Sequence, residues 1–222
     1  MKIKDIMIVE SAVQDRMYRS YAKHLVDQLV SEVKRNRLSG FRTGRMNASL
    51  FGEGSYGYSI EIASEVTFII IETDVMKDGD GGYDKNTKSI MLFVNDVDGI
   101  ENRIGGGRYY TTLFHETIHF LDNVRMKEMP DAPDPNKYGY DKYHNSSVEM
   151  NAFYQEAMRY IDDLIEYNPE IINSLKSFDM FMRTVHYYML KTNDQFYKSL
   201  TEKNKRRIMK RAYKHWLMVQ GK

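Results

Sequence analysis

In the stretch TTLFHETIHFLDN, residues 111–123, His115 and His119 stand four apart and Glu116 directly follows the first. On a helix that spacing stacks two imidazoles one turn apart on one face, where both can reach a single divalent ion. Glu116 then falls beside the ion's remaining, water-occupied position. Zinc lowers the pKa of such a water to about 7, and a neighbouring glutamate can take its proton as it attacks a carbonyl. The competing reading is a buried helix whose histidines bond to backbone or carboxylates. Metal chemistry therefore needs two more things from the chain: a helix under the motif, and a third ligand.

The helix is legible. From about Tyr109 to Met126 the apolar residues Leu113, Phe114, Ile118, Phe120, Leu121 and Val124 recur at helical intervals, after a glycine-dense lead, DGIENRIGGGRYY. Since the chain has no cysteine, thiolate ligands, disulfides and iron–sulfur clusters are excluded, and any metal must be held by His, Asp and Glu. The candidates for the third ligand are Asp122, His144, Glu149 and Glu156. Asp122 shares the histidine face but lies a further turn along, about 5 Å beyond an ion held by both imidazoles. It is better suited to orienting an imidazole than to binding metal.

Thirty residues past His119, the segment VEMNAF opens another helical pattern. FHETIHFLD followed by VEMNAF resembles the gluzincin type of zinc metallopeptidase, in which a glutamate on a downstream helix completes a His-Glu-x-x-His site. In the small intracellular branch that includes the ImmA/IrrE-like peptidases, that glutamate belongs to a Glu-x-Glu-Ala-Asn-like string, and Glu149-Met150-Asn151-Ala152 is similar to it. Small metallopeptidase-like proteins encoded by bacteriophages also look broadly like this chain.

The resemblance covers residues 109–156 and departs from the family at Asn151, where an acid is common. It implies Zn2+ as cofactor, His115, His119 and Glu149 as metal ligands, and Glu116 as general base. A histidine or tyrosine opposite the metal would stabilise the oxyanion. The loop before Glu149 offers Tyr138, Tyr140, Tyr143 and His144, with Tyr143 and His144 preferred. The implied fold is α+β and zincin-like: a small antiparallel sheet packed on the active-site helix, followed by a helical C-terminal part. Its edge strand would take an extended protein or peptide substrate as a further strand. SIMLFVND, residues 89–96, is the candidate for that edge, although so apolar a run also suits a central strand.

The other elements are read from pattern. Residues 11–36 carry Val13, Met17, Tyr21, Leu25, Val26, Leu29, Val30 and Val33 at helical spacing, and LSG then stops the helix. The glycines at 40, 44, 52, 54 and 57 mark loops or short strands. VTFIIIE (66–72) and SIMLFVND read as two strands of an antiparallel sheet joined by the connector TDVMKDGDGGYDKNTK. Asp78, Asp80 and Asp84 in that connector faintly suggest a calcium loop, but no glutamate follows at the required distance, and a hairpin loop is favoured. Residues 127–147, with three of the four prolines, form a loop. Helical patterns return at SVEMNAFYQEAMRYIDDLIEY, at EIINSLKSFDMFMRTVHYYMLK, and from about Asp194 to Val219.

With 222 residues, 42% hydrophobic and 28% charged, the chain suits a single globular domain, 1–222, with a basic helical tail at 191–222. No apolar run approaches a membrane span and no leader pattern is visible, so a cytoplasmic protein with no membrane partner is expected. Charge is uneven. From Lys198 to Lys222 nine Lys or Arg face Glu202 alone, a net +8, which leaves −7 for the remainder of a chain whose total is +1.

In that tail, Arg206, Arg207, Lys210, Arg211 and Lys214 could meet phosphates, and Tyr213 and Trp216 could stack on bases. The favoured alternative is a solvated helix burying Ile208, Ala212, Trp216 and Val219. The many methionines and tyrosines read as core, and His24, His186 and His215 receive no role. Two functions of different class follow: a zinc-dependent peptidase, and a non-catalytic zincin scaffold or nucleic-acid binder using the basic helix.

Overall fold

The computed structural model describes residues 3–46, 48–62, 66–126 and 129–221. In chain order these form α1 (Ile3–Asn36), β1 (Arg42–Arg45), α2 (Ala48–Phe51), β2 (Tyr56–Ile62), β3 (Val66–Glu72), β4 (Gly81–Asp84), β5 (Ser89–Val94), α3 (Ile100–Arg103) and α4 (Gly107–Arg125). Then come α5 (Pro135–Tyr138), α6 (Tyr140–His144), α7 (Ser147–Tyr167), α8 (Ile171–Ser174), α9 (Phe178–Thr192), α10 (Asp194–Ser199) and α11 (Glu202–Val219). The fold is α+β, as expected. The chain divides into two compact units, one of residues 21–128 and one of residues 1–20 with 129–222.

The first unit is built on a five-stranded sheet in the order β1-β2-β3-β5-β4. The antiparallel sheet expected from the sequence is corrected to a mixed one: β3 and β5 pair in parallel, with Phe68 opposite Ile90 and Ile70 opposite Leu92. Two adjacent parallel strands need a crossover connection rather than a hairpin turn. The connector supplies it by carrying a strand of its own. Residues 81–84 form β4, antiparallel to β5, with Tyr83 opposite Ile90. The hairpin closes in a tight turn where Asp84 accepts from the Asn86 N–H and the Thr87 hydroxyl. SIMLFV is thereby an internal strand, and the outermost strand on that side is GGYD.

Helix α4 packs on β4 and β5. The second part of α1 buries Leu25, Val26, Leu29, Val30 and Val33, and its Asp27 accepts from the Tyr110 hydroxyl of α4 at 2.7 Å.

The second unit is helical. Its core gathers Tyr154, Met158 and Ile161 of α7, Phe181, Val185 and Met189 of α9, Phe196 of α10, and Ile208 and Ala212 of α11. The helix starts are capped as their sequences dictate. Ser146, Ser177, Asn193 and Thr201 each accept from a backbone N–H in the first turn of α7, α9, α10 and α11. Two of these caps break expected single helices. The run from 170 to 191 splits into α8 and α9 at Ser177, and the run from 194 to 219 splits into α10 and α11 at Thr201.

The α1 stripe also needs correction in its first part. Val13 and Met17 are exposed, while Ala12 and Arg19 are buried. Polar pairing explains the reversal, because the Arg19 guanidinium reaches Asp162 at 2.8 Å, Gln155 at 2.9 Å and His215 Nδ1 at 3.1 Å. Among the described residues, no helix is long and apolar enough to cross a membrane.

Candidate metal centre

Helix α4 begins abruptly. Gly106 is extended and Gly107 takes φ +55°, a left-handed conformation that glycine adopts without strain. From there the helix runs unbroken past the motif, and His115 and His119 are both buried with ring centroids 4.9 Å apart at 77°.

Side chains along α4 tie it to the connector around β4. The Tyr109 hydroxyl donates to Asp78 at 2.7 Å, Arg108 pairs with Asp80, the Thr112 hydroxyl donates to the Gly79 carbonyl at 2.6 Å, and the Asn123 amide donates to the Tyr83 hydroxyl at 2.8 Å. Burial alone would raise the Asp78 pKa. The Tyr109 hydroxyl, the Asn95 N–H and the Arg103 charge outweigh it, so the carboxyl titrates below its ordinary value. Asp78, Asp80 and Asp84 thus each have protein donors, within a connector that is a crossover and not the hairpin loop expected between the two strands.

The strand lies close against the helix. A β-carbon added to Gly81 would stand 2.5 Å from the Met91 carbonyl oxygen, 2.6 Å from Thr112 Cγ2 and 3.4 Å from Glu116 Cγ. Only a residue without a side chain fits, and Glu116 therefore faces the outermost strand. Gly81, Thr112 and Asn123 escaped the sequence reading. The two adjacent glycines in the connector were the available signal, since glycine within a strand marks a close backbone approach.

Glu149 is the third residue of α7, and its carboxylate is buried. Ser146 and Glu149 match the Ser-x-x-Glu pattern of a capping box, in which the glutamate would reach back to the Ser146 N–H. Here the Ser146 N–H donates to the Tyr143 carbonyl at 3.0 Å instead. The Ser146 hydroxyl meanwhile accepts from the Glu149 N–H at 3.3 Å, pinning the backbone that carries the carboxylate.

His115, His119 and Glu149 form the one group among the described residues whose ligand atoms could hold a metal ion. The three donor atoms lie within 4.8 Å of one another, and all three residues are buried. Two imidazoles and a carboxylate, with no thiolate, suit a first-row divalent ion. Burying a carboxylate is costly unless hydrogen bonds or a positive charge compensate it, and a bound cation would supply such a charge.

The other predicted residues fall elsewhere. Asp122 is fully buried, with Arg125 at 3.7 Å from its carboxylate, and Glu156 is buried two turns further along α7. His144 lies inside the helical unit among Phe153, Phe196, Tyr140 and Tyr143. Its Nδ1 is 2.8 Å from the Ser199 hydroxyl and its Nε2 3.5 Å from the Asn193 amide, so the imidazole braces α6 against α9 and α10. Tyr143, half-buried, packs on the rings of Tyr140 and His144. His215, which the sequence left without a role, is buried in the Arg19–Asp162 cluster. Compared with protein-family models, curated proteins and solved structures, the chain matches none of them.

Proposed function

We propose that the chain is a zinc-dependent metallopeptidase of gluzincin type, in which His115, His119 and Glu149 hold the ion and Glu116 is the general base. The observation that carries this reading is the buried convergence of two imidazoles and a carboxylate, one of the imidazoles immediately followed in sequence by Glu116. When bound, the ion would supply Lewis-acid chemistry, lowering the pKa of a water to about 7 and polarising the scissile carbonyl.

The remaining work belongs to the chain. Glu116 accepts the proton of the attacking water and returns it to the leaving amine. Its position against Gly81 supports a substrate running along β4, the outermost strand, whose outer backbone groups suit an extended peptide. With the His144 nitrogens directed at Ser199 and Asn193, Tyr143 is the preferred donor to the developing oxyanion.

The test pairs metal analysis with turnover. Purified protein should carry close to one zinc per chain, and a His115→Ala, His119→Ala double variant none. Glu116→Gln should keep the zinc and lower peptide hydrolysis by about 10²–10⁴-fold. A protein that takes up no zinc refutes the reading. So does one whose Glu116→Gln variant retains full biological activity, which would mark a scaffold that no longer needs turnover.

A further inference from the structure

The charge asymmetry of the sequence becomes a surface in the structure. Helix α11 carries seven Lys or Arg, and they divide by direction. Arg211 turns inward, its guanidinium pairing with Asp15 at 3.1 Å and donating to Asn151 at 2.9 Å, while Lys205 pairs with Glu202 at 3.0 Å. Lys203, Arg206, Arg207 and Lys210 are exposed. Lys203, Arg206 and Lys210 have no carboxylate partner among the described residues, and Arg207 reaches only the Asn204 side-chain oxygen, at 3.4 Å. At 3.6 residues per turn these four fall within roughly 100° of the helix circumference and span about 10 Å of its axis. Opposite them Asn204, Ile208, Ala212 and His215 are buried. The result is a rigid cationic stripe on a helix whose other face is anchored in the core.

We infer that this stripe is a docking surface for the sugar-phosphate backbone of double-stranded DNA. A DNA strand offers a phosphate every 3.4 Å along the axis, so two turns of such a helix can face several phosphates at once. Three features separate this occupant from others. A membrane-surface helix needs an apolar face to sink between lipids, and here Ile208 and Ala212 are committed to the core with Trp216 packed on it. A single-stranded ligand needs free aromatic faces for its bases, but the Tyr213 ring, although 42% exposed, is already packed on Phe178 and Trp216, and the Trp216 indole donates to the Leu175 carbonyl at 2.8 Å. An acidic protein partner would favour large apolar anchors at the centre of the patch, where the stripe offers only charge. What is left is contact with phosphate, without base readout, and so independent of sequence.

The experiment is fluorescence anisotropy of a labelled 20-base-pair duplex with the full chain, titrated from 50 to 200 mM KCl. The expected result is binding to unrelated sequences alike, with log K falling on log salt at a slope of about −3.6 for four phosphate contacts. Lys203→Gln, Arg206→Gln, Arg207→Gln and Lys210→Gln together should weaken binding at least tenfold, with the circular dichroism spectrum unchanged. Arg42→Gln with Arg45→Gln, which removes exposed cations from β1, should leave binding as it is. No measurable binding at 50 mM salt overturns the inference. So does equal binding by the quadruple variant, or tighter binding to phosphatidylserine vesicles or polyglutamate than to the duplex at the same salt.

Discussion

A histidine that looked idle shows how a single side chain takes its role from what surrounds it. His215 sits in α11 with Arg19 on one ring nitrogen and Asp162 3.0 Å from the other. Burial lowers its pKa, and the Arg19 charge adds to the effect against the pull of Asp162. The folded chain thus prefers the neutral imidazole, while the unfolded chain takes up a proton as pH falls through about 6.5. Stability from this residue is present above that pH and is lost as pH drops below it. Asp162 is pushed up by burial but held below its ordinary value by His215 and Arg19, so its contribution is lost only at more acid pH. Melting temperature should therefore fall from pH 7 to pH 5, and His215→Gln, which keeps a donor and an acceptor but does not titrate, should flatten that slope. An unchanged slope would remove His215 from the account. None of this was legible in the sequence, because Arg19, Asp162 and His215 are far apart in the chain and only folding pairs them. His115, Glu116 and His119 were legible because their chemistry depends on local helical spacing alone.

Two long helices were read well from local signals, whereas the breaks at Ser177 and Thr201 and the pairing of the strands were not. α4 and α7 lie where periodicity placed them, α7 to the residue, since apolar recurrence and a Ser cap are local signals. The sheet could not be ordered in this way. Apolar runs mark β3 and β5 as strands without saying whether they run parallel, and β4, only four residues long and half glycine, carries no apolar alternation. Yet β4 is the strand that fits against Glu116. Gly81→Val should push it off α4, costing about 1–3 kcal/mol of stability by overpacking, readable as a lower urea midpoint. On the proposed function hydrolysis should fall while zinc content is kept. A valine accommodated at no cost would show that the close approach of β4 to α4 is not required.

For the whole molecule, the candidate ligands lie on α4 and α7, 34 positions apart from first to last, so an ion that the unfolded chain holds poorly would add to folding stability on binding. On the proposed function, free zinc at 100 times its dissociation constant should stabilise the chain by about 2.7 kcal/mol. Differential scanning calorimetry should show a lower melting temperature in EDTA, and a His115→Ala, His119→Ala variant indifferent to both zinc and chelator. Equal melting of the parent protein with and without metal would count against the site.

The outward face of α11 has a consequence of another kind. Near pH 7.8 the chain as a whole is isoelectric and has no net drift in an electric field. Its potential is nonetheless not zero everywhere, because the basic side chains of Lys203, Arg206, Arg207 and Lys210 are gathered on the outside of one helix. The isoelectric point thus describes the average of this molecule and not what an approaching polyanion meets.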